Sequence, residues 1–203
     1  MRLPLTREQA IKLLEKYSPE KSEMNHYLES EAIMKELAEK FEEDKEYWGM
    51  LGLLHDIDWS LTKSNVEEHG TKAVEILKEK GFDEDFIKII QSHVYGHEII
   101  PKFKDEKRNK KVEYALAAAE TLTGIIYAYA LMRGGKISDM ELKGLKKKFK
   151  DKRFAENCNR EIIKEIENTG LTLDEFLELS IEALKKIKGE IGLEWTKIKN
   201  QKK

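Results

Sequence analysis

Five histidines, His26, His55, His69, His93 and His97, fall in the first half of the chain and none follows. Two carboxylates stand out beside them. Residues 51–60 read LGLLHDIDWS, so His55 and Asp56 come directly behind an apolar run. Glu120 is the only charged residue between Tyr114 and Met132. A polar group at such a place costs free energy unless it finds a partner. Helical phase turns at least four of the histidines inward. His26 shares a face with Ile33 and Leu37, His69 with Val66, Ala73 and Ile76, and His55 and His93 follow Leu51 and Ile89-Ile90. One buried histidine is ordinarily a satisfied core residue. Several from different helices, with Asp56 and Glu120, are expensive to bury singly. A divalent metal removes the cost, because imidazole and carboxylate are its ordinary ligands and it neutralises the acids.

The elements that must position these groups read as helices almost throughout. Thr6 with Gln9 forms a capping box for a helix ending near Tyr17, before Pro19. Further helices are expected over about 22–41, 44–56 and 83–93. One more is capped by Ser64 with Glu67 and closed by Gly81. A buried helix runs around Glu120 to Gly134-Gly135. Ser138 with Glu141, and Thr172 with Glu175, are expected to cap later helices. No stretch alternates with β-branched residues as a strand would. The expectation is an all-α helical bundle with additional C-terminal helices. It comprises a metal-binding core over 1–135 and a helical extension over 136–203, packed on the core rather than independent.

The ordered set His26, then His55-Asp56 in "LLHDID", then a late acid on a helix resembles the HD-domain superfamily of metal-dependent phosphohydrolases. "HGTKAVEILKEKGFDEDFIKIIQSH" is similar to the segment that follows in members with two further histidines. "AAAETLTG" is similar to the helix that supplies the last ligand. The pattern covers about residues 22–132. The chain resembles an HDIG-like branch with a lysine-rich helical C-terminal extension, and "KKKFKDKRFAENCNRE" is similar to part of a less characterised helical branch of the superfamily. The resemblance implies that His26, His55, Asp56 and Glu120 hold one metal, with Asp56 bridging to a second held by His69 and His93. One or two divalent ions are implied, with Mn, Fe, Mg, Co, Ni and Zn not distinguished. The usual last ligand is aspartate, and Glu120 is one methylene longer. His97 is a candidate ligand, proton donor or phosphate contact, or an exposed loop residue. Asp58 is expected to be a solvated acid, with orientation of a histidine or of the attacking water as its catalytic alternative. The substrate implied is a small phosphorylated molecule, a nucleotide by analogy.

Several classes are set aside. His97-Glu98 begins like a zinc-protease motif, but Pro101 stands where the second histidine is needed. No Gly-rich phosphate loop is present, and nothing marks Cys158 as a nucleophile. That lone cysteine excludes an internal disulfide and fits a reducing, cytoplasmic setting. The N-terminus has no apolar stretch of the kind a signal peptide carries. Residues 112–132 are long enough for a membrane span, but Glu120 near the middle favours a buried core helix and no membrane. The net charge of −2 gives no sign of a nucleic-acid partner. Residues 143–153, KGLKKKFKDKR, carry seven basic residues and one acid. They form a solvated face, with Lys147, Lys148 and Arg153 as candidate contacts to substrate phosphate. A homo-oligomer is left open. Two other functions compete: a non-catalytic helical binding or regulatory module with a structural metal site, and a di-iron oxygenase.

Overall fold

Small polar side chains, Asn159 before Arg160 among them, start five of the helices by taking up backbone N–H groups that have no intrahelical partner. In the computed structural model, which describes residues 3–18 and 20–194, Thr6 and Gln9 form the capping box of α1 (Arg7–Tyr17). Asp44 caps α3 (Lys45–Leu54) and Asp83 caps α6 (Glu84–Ser92). Thr172 and Glu175 form the capping box of α10 (Leu173–Lys186). Between them lie α2 (Lys21–Lys40), α4 (Trp59–Thr62), α5 (Lys72–Glu79), α7 (Lys111–Met132), α8 (Leu142–Lys150) and α9 (Arg160–Lys164). Among the described residues there is no β-strand, only one isolated bridge between Lys136 and Glu194. The fold is all-α. Pro19, expected to follow α1, lies outside the described residues.

Three expected boundaries move. The helix expected from Ser64 to Gly81 is instead a 3-10 turn at Val66–Glu68 followed, after a break, by α5. Gly70 is the reason. Its φ is +73°, and a Cβ there would lie 2.8 Å from the Val94 side chain. A left-handed residue ends any continuous helix at that point. His69 therefore leaves a turn, not a helix face. Ser138 does not cap α8. Its hydroxyl donates to the Glu194 carboxylate, and α8 begins only after Glu141. The third helix stops at Leu54, so His55 and Asp56 sit just past its end.

Gly52 sets the distance between α2 and α3. A Cβ on it would meet the Ser30 carbonyl oxygen at 2.6 Å, so only glycine lets the two backbones approach this closely. That approach brings the start of α2, with His26, against the end of α3, with His55. At the centre lies α7, where Ala115, Ala117, Ala118 and Ala119 are fully buried and leave room for neighbours. It packs against α2, α3, α6, α8 and α9. By length and composition α7 would cross a membrane, yet 56% of its apolar window is buried inside the protein.

The C-terminal helices share this core. Ile163, Ile166, Phe176 and Leu177 join the buried cluster that contains Leu51, Leu116 and Ile126. Arg108 ties the two parts together beside the histidines. It forms a bidentate pair with Glu165 and also donates to the carbonyls of Ser92 and Tyr95. The lysines of α8 point outward because Leu145 and Phe149 occupy its buried face.

Candidate metal centre

Each of four histidines is aimed by a bond at its Nδ1. His55 Nδ1 lies 2.8 Å from the Gly52 carbonyl oxygen, and His93 Nδ1 lies 2.6 Å from that of Ile90. His69 Nδ1 lies 2.8 Å from Asp58 Oδ1. These partners only accept, so Nδ1 carries the proton in all three rings. His26 Nδ1 lies 2.9 Å from Thr123 Oγ1, whose own proton goes to the Glu120 carbonyl. That leaves the hydroxyl to accept from His26 as well. In the neutral rings every Nε2 is then a bare lone pair.

The four Nε2 atoms face one another in pairs. His26 and His55 are 3.0 Å apart at Nε2, and His93 and His69 are 3.1 Å apart. Asp56 stands between the pairs and gives one oxygen to each. Its Oδ2 is 3.6 Å from His26 and 3.5 Å from His55, and its Oδ1 is 3.2 Å from His69 and 3.1 Å from His93. Two three-donor nests result, His26–His55–Asp56 and Asp56–His69–His93. Opposed lone pairs at this spacing repel unless a cation lies among them. The spacings are also the edges of a coordination shell. Ligands about 2.1 Å from one ion are about 3.0 Å apart in an octahedron and about 3.4 Å apart in a tetrahedron. The donor set fits a metal in both nests.

Without an ion, protons take the same places. Burial disfavours a charged His69, but hydrogen bonds to Asp56 and Asp58 outweigh it and raise its pKa to about 10. His26 is also raised, its burial outweighed by Asp56. His55, fully buried, is pushed down to about 3. Burial alone would raise Asp56, but the surrounding imidazoles hold it well below the carboxylate range. A proton is thereby favoured on one ring of each nest, His26 in the first and His69 in the second.

Asp58 is no solvated acid. It is fully buried, and it accepts from His69 Nδ1, from Gly70 N at 2.9 Å and from Ala73 N at 3.0 Å. The chain turns inward at Ile57, and the polar end of that turn is satisfied by the loop that carries His69. Glu120 lines the same cavity but belongs to neither nest. Its Oε1 takes the Thr121 hydroxyl, and burial raises its pKa. His97 lies exposed on the cavity wall, also outside both nests. Burial on its inner side and the charges of His69 and His93 lower its pKa.

The structure takes the three candidate phosphate contacts away from this site. Lys147 lies on the outer face of α8, beside Lys143, Lys146 and Lys150. Lys148 stacks 4.9 Å over the Phe154 ring. The Arg153 side chain is 95% exposed. None of them lines the cavity. Two relevant residues escaped the sequence. Thr123 follows Glu120 by three residues on one helix face, a spacing that was the available signal. Glu29 is buried one turn after His26 with its Oε1 unpartnered, and burial raises its pKa to about 8.

The cavity over the nests measures about 350 Å³. His26, Asp56, His69, His93 and Glu120 form its floor. A helical domain whose bundle holds paired histidines about a shared aspartate offers the ligand groups a metal-binding domain needs. The chain belongs to the HD domain family, whose pattern matches residues 24–130, more than half of its length. No curated protein and no solved structure matches it.

Proposed function

We infer that the chain is a metal-dependent phosphohydrolase acting on a small phosphorylated molecule, a nucleotide in our reading. The observation that carries this is Asp56, whose two oxygens each face their own histidine pair. In this reading His26, His55 and Asp56 hold one divalent ion, and Asp56, His69 and His93 hold a second. Glu120 completes the first nest by letting go of Thr121. Bound ions of this kind turn water into hydroxide at neutral pH and offset phosphoryl charge.

The protein's own groups then have separate tasks. Asp58 keeps His69 in the tautomer that leaves Nε2 free, and Thr123 does the same for His26. Partial burial and the neighbouring histidines disfavour charge on His97, which offers an N–H to a phosphoryl or leaving-group oxygen from the wall. A cavity of about 350 Å³ suits a small ester. The lone cysteine is consistent with a reducing cytoplasm. An extension packed on the core rather than independent of it is supported by the Arg108–Glu165 pair, which bridges it to the His93 loop.

The test is metal analysis of the purified protein, then a phosphomonoesterase and phosphodiesterase screen with Mn²⁺, Mg²⁺, Co²⁺ and Fe²⁺. Hydrolysis that disappears in Asp56→Asn supports the reading. Failure with every metal removes it. Four imidazoles about one carboxylate are also a donor set that iron takes, so oxygen uptake with Fe²⁺ and no hydrolysis would mark the oxygenase alternative.

A further inference from the structure

We propose that this site selects phosphomonoesters of uncharged, largely apolar or aromatic alcohols, and rejects esters whose leaving group carries a second anion. The proposal rests on the phosphohydrolase reading and deepens it. Among the described residues, the cavity lining contains no lysine and no arginine. Its carboxyl groups are those of Asp56 and Glu120. The nearby cations are committed elsewhere. Arg108 is taken by Glu165 and backbone carbonyls. Lys102 lies 5.2 Å over the Phe103 ring, with its ammonium also reaching Thr71. Ions held by the two nests would offset the charge of one phosphoryl group. Nothing on the walls matches another.

What the walls do offer is apolar surface. Trp59, Val66, Val94, Ile99 and Ile100 line the cavity from the histidine-bearing segment, and Ile162 lines it from the far wall that the C-terminal segment contributes. Ile99 is 56% exposed, a large apolar side chain left facing solvent at the site. A bound apolar group would cover it, which is the ordinary driving force for such a pocket. The remaining contacts on the far wall, Thr121, Asn157 and Asn159, are neutral.

That far wall is built rather than loose. Arg160 donates to the backbone carbonyls of Phe149, Asp151, Phe154, Ala155 and Cys158. One guanidinium thereby fixes the loop that presents Asn157, including Ala155 at φ +47°. Asn157 itself takes no part in this network and is exposed. A charge introduced there changes the wall without removing what holds it.

The experiment compares phenyl phosphate, 4-carboxyphenyl phosphate and glycerol phosphate as substrates of the metal-loaded protein. Phenyl phosphate is expected to exceed both others at least tenfold in kcat/KM, although the carboxylated phenol is the better leaving group. Asn157→Lys is expected to shift the ratio of the two aryl esters at least fivefold toward the carboxylated one. Equal or faster turnover of the carboxylated or glycerol ester overturns the proposal and leaves the phosphohydrolase reading standing. Loss of all hydrolysis overturns that reading instead. Calorimetry with phenylphosphonate and 4-carboxyphenylphosphonate then decides the proposal by binding alone. Tighter phenylphosphonate supports it, and equal or tighter binding of the carboxylated compound, or no binding of either, overturns it.

Discussion

Asp58→Asn isolates the role of one buried carboxylate without changing its shape. Asp58 accepts three bonds, two of them at Oδ2 from Gly70 N and Ala73 N. An asparagine oxygen can take over those two. Its amide then faces His69 Nδ1 with a proton where the carboxylate had a lone pair. His69 can keep that contact only by moving its own proton to Nε2, the atom that faces the nest. A metal must reverse that tautomer and leave a buried bond unmade, at roughly 1–3 kcal/mol, a factor of about 5 to 150 in affinity. Losing Asp58 also lowers the proton affinity of His69, which works in the other direction. The expected net loss is about tenfold at the Asp56–His69–His93 nest, with the His26 nest unchanged. Weaker bonds to Gly70 and Ala73 should lower folding stability by about 1–2 kcal/mol. Mn²⁺ binding at pH 8, followed by paramagnetic resonance and equilibrium dialysis, gives both affinities. Imidazole ¹⁵N spectra of the metal-free protein report the tautomer. A variant with Nδ1–H retained in His69 and two sites of wild-type affinity would refute the reasoning.

The raised pKa of His69, about 10, makes its nest a site of proton exchange. Metal there must displace that proton, so apparent affinity should rise about tenfold per pH unit between pH 7 and 9. Calorimetry in buffers of different ionisation enthalpy should register the released proton. In the metal-free protein the same shift stabilises the fold fully below pH 6.5, and the contribution is lost as pH rises toward 10. Glu29 adds a second decline. Its folded pKa of about 8 means that the unfolded chain releases its proton first, so stability falls between about pH 4.5 and 8. Glu29→Gln cannot ionise, and its Tm should exceed that of the parent at pH 8 and match it near pH 4. A lower Tm at pH 8 would assign the carboxylate a partner. Glu120→Gln should weaken metal at the His26 nest at least tenfold and spare the other. Unchanged affinity would leave Glu120 as cavity wall only.

The sequence disclosed most where chemistry was local. Thr6, Asp44, Asp83 and Thr172 each satisfy backbone groups within three residues, so the starts of their helices were readable. Helical phase turned His26, His55 and His93 inward, as the structure has them. His69 was turned inward for the wrong reason, because Gly70 breaks the helix on which that phase was counted. The break depends on the close approach of Val94, a contact that no local pattern records. Asp58 was misread for a related reason. Two of its three partners lie twelve or more residues further on, and without them a charge at a helix end looks solvated. The lysines of α8 do not line the cavity; amphipathicity says which face is buried, not which cavity the other face borders.

The central claim is that Asp56 is shared by two ions, one in each histidine nest. Anomalous diffraction at the manganese edge, from crystals grown with Mn²⁺, tests it most directly. The account predicts two peaks, one within ligand distance of His26 and His55 and one within ligand distance of His69 and His93, with a different Asp56 oxygen on each. A single peak, or peaks that leave either histidine pair without a metal, would contradict it.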